Sequence, residues 1–134
     1  MRLFLARQGR LGDPDVILVC GATNDSWADS PIGEFRYGNW TDAELKAFRP
    51  AMAKMLAGLV QGYPRAGVLF ILNDGLKPAI NDSVHEICRH YGVRCLDLQK
   101  IDKQDGHPSV VGMRQIAEQV TDALTNRQKR TETR

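Results

Sequence analysis

Two apolar runs, Asp15-Val-Ile-Leu-Val-Cys20 and Gly67-Val-Leu-Phe-Ile-Leu72, constrain this chain more than any other feature. Each is strand-length, and after Asp15 neither carries a side chain that prefers water. Such runs suit strands buried on both faces, as parallel sheets require. A shorter segment, Arg94-Cys-Leu-Asp-Leu98, alternates and reads as a third strand. Parallel strands need crossovers, and the intervening segments have helical spacing. Thr41-Asp-Ala-Glu44 has the form of a capping box, and Leu45, Phe48, Met52, Met55 and Leu59 then recur at steps of three and four. Pro50 inside that pattern predicts a kink or a restart, and Gly62 with Pro64 marks the end. A second helix opens near Pro78, turns Ile80, Val84, Ile87 and Tyr91 inward and stops at Gly92. A third is expected over 109–126, with Met113, Ile116, Val120 and Leu124 inward.

The order β-α-β-α-β-α predicts an α/β protein, three layers with a parallel sheet and right-handed crossovers. In open α/β sheets, sites lie beyond the carboxyl ends of the strands. Asn24, Asn73 and His107 all follow strand ends and are expected at that rim. The long loop 26–40 carries Trp27, Phe35, Tyr37 and Trp40. These aromatics either shape a substrate cleft or anchor the loop to the body.

A length of 134 residues with a net charge of +2 suits one core-bearing domain and implies no nucleic-acid or anionic-membrane partner. The basic stretch at 127–134 reads as a charged, disordered tail, leaving 1–126 as the domain. No apolar run reaches membrane-spanning length. Met1-Arg-Leu-Phe-Leu-Ala-Arg7 is too short for a signal-peptide core and reads as the last turns of a helix. The compartment stays open. Cys20, Cys88 and Cys95 include no Cys-x-x-Cys pair and read as buried free thiols, with no metal site or disulfide framework expected. His85 and His90, five apart on one helix, do not share a face and read as surface residues.

Two short motifs could carry chemistry. In Gly21-Ala-Thr-Asn24-Asp25, an amide just past a buried strand can donate to an oxyanion formed in acyl transfer, or can simply hold a turn. Asp25 reads as a local hydrogen-bonding partner that fixes the loop. In Asp105-Gly106-His107-Pro108, a histidine on a pre-helix loop can serve as a general base if a carboxylate orients its ring. No glycine-rich phosphate loop joins a strand to a helix, which argues against a flavodoxin-like nucleotide binder.

Taken in order, the two motifs resemble those of the SGNH/GDSL hydrolases, flavodoxin-like esterases and lipases. Ala22-Thr-Asn24-Asp25 is similar to that family's third motif, Gly-x-Asn-Asp. Gly106-His107-Pro108-Ser109, with Gly112-Met113 after it, is similar to its last, Asp-x-x-His-Pro. The resemblance spans residues 14 to about 124 and corresponds to the C-terminal part of a family domain. It implies a Ser-His-Asp esterase acting on small acyl esters, acetylated sugars included, with no metal or cofactor. His107 would be the base, Asp105 (or alternatively Asp102) its orienting carboxylate, and Asn24 the oxyanion donor. Trp27, Tyr37 and Trp40 would contact substrate.

Three departures qualify what is implied. Ala22 stands where the motif has glycine, and Gln104 occupies the position three before His107. If neither aspartate reaches the ring, a Ser-His dyad with a backbone carbonyl as orienter is the alternative. No Gly-Asp-Ser precedes Asn24, and Ser26, Ser30, Ser83 and Ser109 do not follow a buried strand in a tight turn. The expectation is therefore an N-terminally incomplete fold lacking the nucleophile segment. Its strand at 15–20 would then be an exposed edge prone to self-association. A non-catalytic module binding a ligand or partner at the same rim is the competing reading.

Overall fold

The computed structural model describes residues 12–132, with side chains described through Asn126. The expected helix end at 1–7 lies outside the described residues. Strands β1 (Val16–Gly21), β2 (Gly67–Leu72) and β3 (Arg94–Asp97) form one parallel sheet in the order β1-β2-β3. Val16 is in register with Gly67, and Leu69 with Arg94. The helices are α1 (Thr23–Trp27), α2 (Phe48–Gly62), α3 (Pro78–Tyr91) and α4 (Val110–Glu132). A small antiparallel hairpin, β4 (Lys103–Gln104) and β5 (His107–Pro108), precedes α4.

The layers follow from the strand sequences. Helices α2 and α3 cover one face, where Ile17, Phe70 and Leu72 pack with Leu56, Val84 and Ile87. Helix α4 covers the other, where Leu69 and Ile71 meet Ile116, Val120 and Leu124. Strand β2 is thus covered on both sides, as its continuous apolar run requires. Strand β1 is as apolar but half covered. Ile17 is buried, whereas Val16 and Leu18 are 44% and 48% exposed and Cys20 is exposed. Leu18 and Cys20 are in register with Leu69 and Ile71, so they share the face that α4 covers over β2 and β3. The expectation that all three thiols are buried therefore fails at Cys20, while Cys88 is buried and Cys95 half-buried.

The capping box forms, but it caps a single 3-10 turn at Glu44–Lys46. The Thr41 amide donates to Glu44 Oε2 at 2.8 Å, and the Glu44 amide to Thr41 Oγ1 at 3.2 Å. Ala47 is extended (φ −97°, ψ 153°), and α2 restarts at Phe48. Pro50 explains the break. Its ring would collide with the carbonyl of Lys46 in a continuous helix, but in the first turn of a new one its missing N–H costs nothing. Helix α3 begins at Pro78 and ends at Gly92, whose φ of 65° is left-handed.

Helix α4 differs from expectation at both ends. Met113 is 58% exposed rather than inward. The buried residue of that turn is Gly112, which continues the four-residue step of Ile116, Val120 and Leu124. At the other end the helical backbone continues to Glu132, through residues assigned from sequence to the disordered tail. Those residues include no glycine or proline to stop it.

Candidate active site

The asparagine motif enters the rim through a turn that glycine would take more readily. Ala22, buried, has φ 73° and reverses the chain from β1 into α1. The five residues of α1 carry Asn24, which is exposed. Three polar contacts hold α1 in place. Asn73, following β2, donates to Thr23 Oγ1 at 3.5 Å. The Lys77 amide donates to Ser26 Oγ at 3.0 Å, and the Lys77 ammonium pairs with Asp29. Among the described residues the Asn24 side chain makes no hydrogen bond, so its amide is free to donate outward.

The histidine motif is the β4-β5 hairpin. Its two-residue loop is Asp105-Gly106, with φ 50° and 78°, the positive pair that such tight loops demand. The hairpin is tied to the end of β2 through Asp74. One carboxylate oxygen accepts the Ile101 amide at 3.1 Å, and the other pairs with Lys103. Burial pushes the Asp74 carboxyl up, but the Lys103 ammonium and the Ile101 amide outweigh it and leave the group below the usual carboxylate range. Behind the hairpin the start of α4 is capped by Ser109, whose Oγ accepts the Gly112 amide at 3.0 Å and donates to Asp102. Gly112 is packed so tightly there that a Cβ would lie 2.1 Å from the Asp102 carbonyl oxygen.

These anchors bring the two motifs into contact. The Trp27 ring, three residues after Asn24, meets the His107 ring edge-on, with centroids 5.3 Å apart at 72°. The structure does not give His107 an aspartate. Among the described residues its ring makes no hydrogen bond. Asp105 sits at the hairpin tip, and Asp102 is engaged by Ser109. Directly across from His107 stands Gln104. Facing residues of an antiparallel pair project to the same side with Cβ atoms about 5 Å apart. This is why a carboxylate three residues before the histidine would reach its ring, whereas Asp105 lies in the loop rather than opposite His107.

The other aromatics part company with Trp27. Tyr37 stacks on His90 in the last turn of α3, centroids 3.6 Å apart. That helix runs back from the carboxyl edge of the sheet, so Tyr37 lies toward the opposite end. Trp40 packs on the α2-α3 core and donates Nε1 to the Arg36 carbonyl at 2.8 Å. Both anchor the long loop. His85, expected as a plain surface residue, pairs with Asp97 at 2.7 Å. Two elements escaped the sequence pattern, α1 and the hairpin. The Asp-Gly dipeptide was the available signal for the second.

The class follows from comparison with known proteins. The family model described as GDSL-like lipase/acylhydrolase matches residues 1–124, and the chain belongs to that family. Two solved structures from Bacteroides resemble it, each of a protein assigned as a GDSL-like lipase. That of B. uniformis ATCC 8492 is 50% identical with a TM-score of 0.86, and the match covers 92% of this chain and 58% of the other. That of B. ovatus ATCC 8483 is 47% identical with a TM-score of 0.85, covering 92% and 59%. The chain thus spans somewhat more than half the length of these relatives. No curated protein matches it.

Proposed function

We propose that this chain supplies the histidine and oxyanion side of a serine esterase site acting on small acyl esters, including acetylated sugars. The observation that carries the reading is the Trp27–His107 contact, which places the Asn24 segment and the histidine hairpin side by side. His107 takes the proton of a serine hydroxyl and passes it to the leaving alcohol, while Asn24 donates to the tetrahedral oxyanion. Trp27 forms an apolar wall beside the base. With Asp102 taken up by Ser109 and no aspartate hydrogen-bonded to the ring among the described residues, His107 works with the serine as a dyad.

In this reading the attacking serine is none of this chain's four, which do other work or sit apart. Ser26 is buried and accepts the Lys77 amide. Ser83, buried inside α3, accepts Arg49 and donates to the Ala79 carbonyl. Ser109 caps α4. Ser30 lies in the long loop beyond α1.

A chimera tests this reading. Residues 12–132 replace the matching part of the B. uniformis relative, and parent and chimera are assayed for aryl acetate hydrolysis and fluorophosphonate labelling. The expected result is activity in both, lost by at least about 100-fold in the chimera carrying His107→Ala. An active parent with an inactive, folded chimera, or a chimera indifferent to His107→Ala, refutes it.

A further inference from the structure

Away from the rim, α3 and β3 gather a second set of reactive side chains. His85 Nε2, Cys95 Sγ and an Asp97 carboxylate oxygen all lie within 4.8 Å of one another. His85 Nε2 is 2.7 Å from Asp97 Oδ1, and Cys95 Sγ donates to the same oxygen at 3.6 Å. The grouping follows from two periodicities. Cys95 and Asp97, two apart, share the face of β3 that α3 covers, and His85 looks down from α3. Cys88, one turn after His85, is buried in the core cluster against which Cys95 packs.

We propose that His85, Cys95 and Asp97 form a zinc site on the α3 side of the sheet, with solvent water as the fourth ligand. Nitrogen, sulfur and oxygen donors in one cluster suit zinc, which accepts all three and tolerates an open fourth position. Bond lengths of about 2.0 Å to nitrogen or oxygen and about 2.3 Å to sulfur place tetrahedral ligand atoms roughly 3.5 Å apart. The observed separations need only side-chain rotation to reach that. The cluster is also open to an entering ion, with the His85 and Asp97 side chains 38% and 48% exposed.

Charge gives the second reason. Asp97 Oδ1 now holds a contact to an imidazole nitrogen and a thiol proton. A divalent ion displaces the Cys95 proton to solvent and leaves the imidazole proton on Nδ1. One thiolate and one carboxylate then balance the ion's two charges.

The reduced, chelator-treated chain is titrated with Co2+ and then Zn2+. One equivalent of Co2+ should give a thiolate-to-cobalt charge-transfer band in the near ultraviolet, bleached by Zn2+. Cys95→Ser should abolish the band and weaken Zn2+ at least about 100-fold in competition with a chromophoric chelator. His85→Gln and Asp97→Asn should each weaken it by about 10-fold or more. Cys88→Ser should keep the band. Circular dichroism establishes that each variant is folded, and the parent's own band stands as evidence if one is not. A reduced parent with no charge-transfer band overturns the proposal. So does undiminished zinc affinity in Cys95→Ser, or loss of the band in Cys88→Ser alone, which would put the ion on the other thiol.

Discussion

Asp74 should be the residue that holds the histidine hairpin against the sheet, and removing its carboxylate measures that. It makes two independent contacts, one with the Ile101 amide at 3.1 Å and one with the Lys103 ammonium, which also donates to the Asp74 carbonyl at 3.1 Å. The two side chains are only 25% and 27% exposed, so solvent screens the pair less than at an open surface. Hydrogen bonds to charged groups contribute about 1.5–3 kcal/mol each. Asp74→Ala strips both and leaves the Ile101 amide without its acceptor, an expected loss of about 2–4 kcal/mol. Asp74→Asn can still accept from Ile101 and should cost about half as much. Urea unfolding at pH 7 gives the totals. Amide exchange at Ile101 and across 103–108 shows whether the hairpin loosens first. The pH dependence has a definite sign. The folded carboxyl is held below its usual range, so its contribution is complete above an unfolded pKa of about 3.9 and drains away as pH falls through the lower folded value. The gap between parent and Asp74→Ala should therefore narrow below about pH 4. A gap under about 0.5 kcal/mol at pH 7, or one that does not narrow in acid, refutes the reasoning.

Four further outcomes are expected. Gly112→Ala should lose at least about 2 kcal/mol in urea unfolding, because its methyl would strike the Asp102 carbonyl oxygen, which belongs to the backbone and cannot rotate away. Ala22→Gly should be close to neutral, since relief of about 1–2 kcal/mol of left-handed strain is offset by the lost methyl burial and by chain entropy, whereas Ala22→Val should cost at least about 2 kcal/mol. In the active chimera, Gln104→Asp puts a carboxylate across from His107 and should raise kcat several-fold, while an unchanged rate would show that the ring needs no orienting charge. We also propose that copies of the chain pair through the bare side of β1, so Leu18→Lys should suppress concentration-dependent association in sedimentation velocity, and a parent that is monomeric throughout removes that expectation.

Much of the fold is legible in the sequence, because strand β2 and helices α2 and α3 carry long, one-sided signals. The run Gly67–Leu72 matches its strand residue for residue, and Gly92 ends α3 where expected. Pro50 predicts the restart of α2, although the break falls three residues earlier, where its ring would have met Lys46. What escaped the pattern is short or hidden. Helix α1 has five residues and each hairpin strand two, too few for periodicity to register. The inward position of α4's first turn is Gly112, which no hydrophobic pattern marks, and the eye goes to Met113 instead. At the candidate site, Asn24 and His107 are readable from local motifs. Their contact through Trp27 is not, because it joins residues 80 positions apart. The grouping of His85 with Cys95 and Asp97 is hidden for the same reason, and a search for histidine pairs on one helix looks past it.

The edge-on packing of Trp27 against His107 also gives the rim an optical voice. Indole emission responds to the charge and closeness of a neighbouring imidazole. The chain's other tryptophan, Trp40, is fixed in the loop on the α2-α3 core and supplies a steady background. A proton arriving on His107, a ligand wedged beside it or a hairpin swinging away would each alter light from a single fluorophore. Events at the candidate base could thus be followed in real time in the unlabelled protein, with or without a substrate present.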